Sequence, residues 1–136
     1  DVWDPEMPAN WAQKLKARVA PSVMSLADTV GTASAEVVES VFAATTLEVG
    51  REHLGAHLHL HPMEGLDKIK AAHKSGCLRF DGALRGVGGC PMAQDDLVGN
   101  APTEWIVEWA EKKGLWSVEQ AHALDQSLSL AADLFS

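Results

Sequence analysis

The residues best placed to do chemistry in this sequence are two histidines one residue apart, His57 and His59, in the run Leu54-Gly55-Ala56-His57-Leu58-His59-Leu60. The run is mostly apolar and reads as a buried strand, closed at Pro62 because proline cannot continue a central strand. Alternate strand residues point to the same face, so both imidazoles project together. Two neutral imidazoles at that spacing can chelate one divalent cation. His61 has the same parity and lies just beyond. A structural zinc site is the poorer fit, since such sites usually take four close ligands. The pattern also fits a polar strand end with solvated histidines.

A second feature is the loop Gly86-Val87-Gly88-Gly89-Cys90-Pro91. Its glycines let the backbone approach a ligand closely. A cysteine at the tip, Cys90, suits a proton donor or nucleophile on a closing lid. A phosphate loop is not supported, because no Lys-Ser/Thr follows and no glycine signature is met. The plain alternative is a surface turn with an unreactive thiol. Asp28 closes an apolar run just before Thr29-Val30-Gly31, where a carboxylate can orient a ligand, act as a base or simply form the turn. Asp81 carries a similar ambiguity. Asn100 reads as a helix cap, or as an amide oxygen able to ligate a hard cation. Cys77 reads as core packing. The five tryptophans mostly occupy helical faces and read as packing.

These residues need elements to hold them. Pro5 to Ala20 reads as an amphipathic helix with Trp11, Leu15 and Val19 on its apolar face. A short buried strand follows at 23–27. Ser34 can cap a helix carrying Val37, Val38, Val41, Phe42 and Thr45. After the histidine strand, 63–75 reads as a helix ended by Gly76. A third strand is expected over Leu78–Leu84, and a very short fourth near 97–100. Thr103 to Gly114 reads as a helix bearing Trp105, Ile106 and Trp109. The last begins at Ser117-Val118-Glu119-Gln120, a capping-box pattern. Strands alternating with helices imply α/β architecture with a parallel sheet, in one domain. The period fits a barrel and a doubly wound sheet equally.

The chain has 136 residues and a formal charge of -8, which argues against a nucleic-acid surface or an anionic membrane as partner. No apolar stretch approaches the ~20 residues that span a bilayer. Two cysteines do not make a disulfide framework, and they read as reduced intracellular thiols.

Taken in order, Leu26-Ala27-Asp28-Thr29-Val30-Gly31, Gly55-Ala56-His57-Leu58-His59, Phe80-Asp81-Gly82-Ala83, Gly88-Gly89-Cys90-Pro91-Met92-Ala93 and Gly99-Asn100-Ala101-Pro102-Thr103-Glu104 resemble hydroxymethylglutaryl-CoA lyase. The resemblance covers essentially residues 22–114. Its specific part is the Gly-Gly-Cys-Pro loop joined to Gly-Asn-x-x-Thr-Glu. The His-x-His alone is shared with Claisen-type relatives such as isopropylmalate and homocitrate synthases, which generally lack the loop cysteine. The resemblance implies a (β/α)8 TIM barrel, with residues 1–136 supplying strands five to eight. It implies His57, His59 and Asn100 as ligands of Mg2+ or Mn2+. It implies Asp28, with the metal-held His57, near proton transfer at the substrate hydroxyl, and Cys90 as the thiol that protonates or shields an acetyl-CoA enolate. The implied reaction is retro-Claisen cleavage of 3-hydroxy-3-methylglutaryl-CoA, or a related acyl-CoA, to acetyl-CoA and acetoacetate.

The sequence departs from the family in the acidic spacer Gln94-Asp95-Asp96 and in Leu60-His61-Pro62, where many relatives carry an acidic or amide residue and a Thr. The family's first strand supplies a metal-ligating Asp and a catalytic Arg that have no counterpart here. The expectation is a chain lacking the N-terminal half of the barrel: a fragment, a partner of a separate N-terminal half, or a half-barrel homo-oligomer, located in the cytoplasm. Alone, it would bind metal without completing the reaction.

Overall fold

The structure is a computed structural model that describes residues 4–88, 98–116 and 118–135. Its elements in chain order are α1 (Glu6–Val19), β1 (Met24–Asp28), α2 (Ala35–Val49), β2 (Leu54–Leu60), α3 (Asp67–Lys74), β3 (Phe80–Asp81), β4 (Gly99–Asn100), α4 (Thr103–Lys112) and α5 (Val118–Leu134). β2 is central. It pairs in parallel with β1 on one side and with β3 on the other.

Beyond β3 the same edge of β2 is taken by β4, which runs antiparallel, with His59 opposite Asn100 and Leu60 opposite Gly99. The expected all-parallel sheet is therefore mixed, and it does not close on itself among the described residues. The strand expected over Leu78–Leu84 shortens to Phe80–Asp81. Past it the backbone of Ala83 bonds instead to Ala101 and Thr103, in a parallel bridge to Pro102.

Strand alternation sorts the residues to two faces. Leu54, Ala56, Leu58 and Leu60 turn toward the helices, and all but Leu54 join one core with Val38, Phe42, Ile69, Ala71, Ala72, Cys77 and Ala101. Fully burying a side chain such as Phe42 contributes roughly 1.5–3 kcal/mol. Helix α2 starts where the sequence indicates, with Ser34 Oγ accepting from Val37 N at 3.3 Å. Trp109 of α4 meets His73 and Phe80 edge-on, at 5.0 and 6.1 Å between ring centroids, which docks α4 on α3 and β3.

Helix α1 corrects an expectation. Trp11, Leu15 and Val19 do not face the core: Trp11 is 65% exposed, and the buried positions are Ala9 and Ala12. Positions 9, 12, 13 and 16 share one face, and that face meets α2. Gln13 donates to Glu48 Oε2 at 2.7 Å, and Lys16 Nζ donates to the Val49 carbonyl at 2.6 Å. A cation at the negative end of α2 and small residues at the contact fix this rotation. The i,i+4 apolar stripe is left on the outside.

Candidate functional site

His57 and His59 lie on the face opposite the helices, as period-two alternation requires. Their rings meet edge-on with centroids 5.4 Å apart. His59 is buried and His57 is about half exposed. The same face carries Ser25 and Ala27 of β1, by register with Gly55 and His57, and Asp81 of β3, which stands opposite His57. Asp81 Oδ2 accepts from Ser25 Oγ at 3.1 Å and lies 3.7 Å from His57 Nδ1. That last distance is too long for a hydrogen bond.

The protonation of His59 follows from its partner. Its Nδ1 lies 2.9 Å from the Asp28 carbonyl oxygen. A carbonyl only accepts, so Nδ1 carries the proton. The lone pair of the neutral ring is then on Nε2, the arrangement that metal-ligating histidines show when their other nitrogen is tied to the protein.

Asn100 is fixed by the same logic. Its Nδ2 donates to the Val87 carbonyl at 3.1 Å, and its backbone N–H donates to Gly88. The amide nitrogen is thus turned to the loop, leaving Oδ1 as the acceptor. Directly opposed antiparallel residues share a face, so this amide sits beside His59. Among the described residues no three His, Cys, Asp or Glu side chains group as a metal cage. The donors that fit a cation here are two imidazole nitrogens and one amide oxygen, an incomplete set that suits a hard or borderline divalent ion.

Asp28 is placed differently from the histidines. It shares register with Leu58, on the helix side of the sheet. Its carboxylate is nearly buried and paired with Lys68 Nζ at 2.9 Å; it also accepts from Ala33 N at 3.3 Å. Lys68 is itself buried, and its Nζ donates to the carbonyls of Gly31 at 2.8 Å and His59 at 3.2 Å. The sequence gives little warning of Lys68, since lysine on a short helix normally reads as surface. The only signal is its position four residues before buried Ala72, at the margin of the apolar stripe. Gly31 completes this corner at φ +71°, and a Cβ there would collide with Val98 while only touching His59 Cβ.

Cys90 and the acidic spacer lie outside the described residues. Cys77 is buried in the core, as its sequence context suggests. Burial pushes its thiol up to about 11, with the charge of Asp81 adding to the effect. At the start of α2, a hydrogen bond from Ser34 lowers the exposed Glu36 carboxyl. No helix among the described residues is long and apolar enough to cross a membrane.

The histidine pair stands toward the carboxyl end of a parallel-paired strand, where α/β barrel enzymes keep their chemistry. The chain is an α/β protein with a mixed sheet. No family model matches it. Hydroxymethylglutaryl-CoA lyase YngG of Bacillus subtilis is 36% identical over 91 residues, which are 67% of this chain and 30% of that protein. The crystal structure of hydroxymethylglutaryl-CoA lyase from Pseudomonas aeruginosa superposes with a TM-score of 0.84 at 30% identity, covering 98% of this chain and 44% of that one. An HMG-CoA lyase from Acinetobacter baumannii, solved with coenzyme A and 3-methylmalate, gives 0.71 at 30% identity, over 88% of this chain and 40% of that one. The chain is a homologue of the hydroxymethylglutaryl-CoA lyases, and it spans less than half the length of these relatives.

Proposed function

We propose that this chain carries the histidine–asparagine part of a divalent-metal site in a carbon–carbon lyase acting on 3-hydroxy-3-methylglutaryl-CoA or a related acyl-CoA. The observation that carries the reading is the His59 Nδ1 bond to the Asp28 carbonyl, which leaves Nε2 as a lone-pair donor. His57, His59 and Asn100 would hold Mg2+ or Mn2+. A cation held there would lower the cost of ionising a substrate hydroxyl and fix its geometry. The coenzyme A bound in the Acinetobacter relative supports an acyl-CoA as substrate.

The reaction asks three things of the protein. The tertiary hydroxyl gives up its proton to a base. The bond from its carbon to the thioester α-carbon breaks, releasing acetoacetate. The acetyl-CoA enolate then takes a proton at carbon. Cys90 is our candidate for that last donor, since an ordinary thiol is protonated at neutral pH. Asp28, expected near the first proton transfer, is better read as an orienting group. Its carboxylate faces Lys68, and its carbonyl holds His59. On the histidine face the nearby carboxylate is Asp81.

The outer edge of β1 has no strand partner among the described residues. An open edge favours a covering chain, either a complementary N-terminal half or a second copy of this one. That observation supports a second reading, in which this chain binds the cation but needs the complement for catalysis. Calorimetric titration of Mn2+ into the wild-type chain, His57→Ala and His59→Ala tests the site. Saturable binding that both substitutions abolish is expected; binding indifferent to either one rules the site out. Thioester cleavage, assayed with and without an added N-terminal half from a lyase relative, separates the two readings.

A further inference from the structure

We propose that Lys68 is the positioning residue of the histidine pair, holding the ring of His59 through Asp28 and through the ends of β1 and β2. The proposal rests on the reading of His59 as a metal ligand and adds what sets its orientation. A side-chain ammonium has three N–H donors. Those of Lys68 have three close oxygens, Gly31 O at 2.8 Å, Asp28 Oδ2 at 2.9 Å and His59 O at 3.2 Å. These come from the turn after β1, the last residue of β1 and the penultimate residue of β2. Glu64 Oε2 stands further out at 3.4 Å. The tripod is sealed, with the lysine side chain 1% and the Asp28 side chain 9% exposed.

The bonds close a ring. Lys68 fixes the Asp28 carboxylate, the Asp28 carbonyl fixes His59 Nδ1, and the His59 carbonyl returns to Lys68. The ring passes through the sheet, because Lys68 and the Asp28 carboxylate are on its helix side and the His59 imidazole is on the other. Without the ammonium, the Asp28 carboxylate is a buried charge with no counter-ion, and it gains by turning to water. Its backbone turns with it. His59 then loses the acceptor that selects its tautomer and aims Nε2. Arginine cannot substitute, because its planar fork does not fit a tripod of oxygens.

The test is long-range 1H–15N NMR of the histidine rings in the full metal-free chain above pH 8, with Mn2+ affinity measured separately by EPR. The variants are Lys68→Met and the double variant Asp28→Leu/Lys68→Met, in which neither charge is left buried. In the wild type, His59 should show the single Nδ1–H tautomer. In both variants it should average between tautomers, and Mn2+ should bind about 10- to 100-fold more weakly, as for loss of a group that orients a ligand. The His53 and His73 signals and the circular dichroism should stay unchanged. A single Nδ1–H signal for His59 in the double variant overturns the proposal. So does loss of fold in both variants, since the pair then serves the fold alone. If the wild type shows the fixed tautomer and yet no Mn2+ binding, the metal reading fails and the NMR result still decides the role of Lys68.

Discussion

His59 and Asn100 stand directly opposite each other across the antiparallel pairing of β2 with β4. The pairing brings together two residues forty-one positions apart, one an imidazole with a free lone pair and the other an amide with its oxygen turned away from the loop. It also explains why β4 leaves the parallel pattern. Where β3 stops, the end of β2 is free on that edge, and Gly99 and Asn100 pair with it.

Asn100→Ala should therefore weaken Mn2+ binding without unfolding the chain. Losing a group that merely supports a ligand costs roughly 10- to 100-fold in affinity, and a direct ligand should cost no less. Titration calorimetry beside a thermal melt makes the comparison. Wild-type affinity in the alanine variant would remove Asn100 from the ligand set.

Gly31 joins the two halves of the site at a position no other residue type suits. Its φ of +71° strains any side chain, and the space for a Cβ is filled by Val98, with His59 Cβ 3.5 Å away. Gly31→Ala should cost about 1–3 kcal/mol in urea-derived stability, the usual range for a residue held in a sparsely populated backbone region. The neighbour that must give way is Val98, and Mn2+ affinity should fall as well if moving Val98 disturbs Gly99 and Asn100, which follow it and pair with the end of β2. A neutral effect on both measurements would show that the turn re-forms around the methyl group.

Much of this arrangement was legible in the residues. Alternation around His57-x-His59 fixes their common face, Ser34 marks the start of α2, and the apolar runs mark β1 and β2. Lys68 was not legible, because its burial depends on three oxygens that only the folded chain brings together. The side of the sheet taken by Asp28 needs the register with β2, and the antiparallel turn of β4 needs the vacant edge beyond β3. The facing of α1 failed for a related reason. Its apolar period is genuine, but rotation is decided by what α2 offers, and α2 offers a carboxylate and a helix-end carbonyl to Gln13 and Lys16.

The outward stripe of α1 yields a prediction opposite to the one its sequence suggests. Leu15 is half exposed on this chain. Leu15→Glu should change stability by no more than about 0.5 kcal/mol, as surface substitutions do. Lys16→Met should be the more damaging of the two, because it removes the donor to the Val49 carbonyl. Denaturant melts of both variants rank them, and a large loss for Leu15→Glu would mean that this face is covered in solution.

Cys77 provides a pH test of the core. Its folded thiol stands at about 11 against an ordinary 9.0, because burial disfavours the thiolate. The folded state therefore holds this proton more tightly than the unfolded chain does. The contribution is whole below pH 9, declines as the unfolded thiol ionises, and is lost as pH rises through 11. The effect is on the order of 2–3 kcal/mol at most. Urea midpoints measured from pH 8 to 11 should fall more steeply for the wild type than for Cys77→Ala, in which this one titration is absent. The alanine variant will start lower, since it loses buried volume, so the slope is the informative quantity. Parallel slopes would mean that water reaches the thiol, and would place Cys77 outside the sealed core that backs the histidine strand.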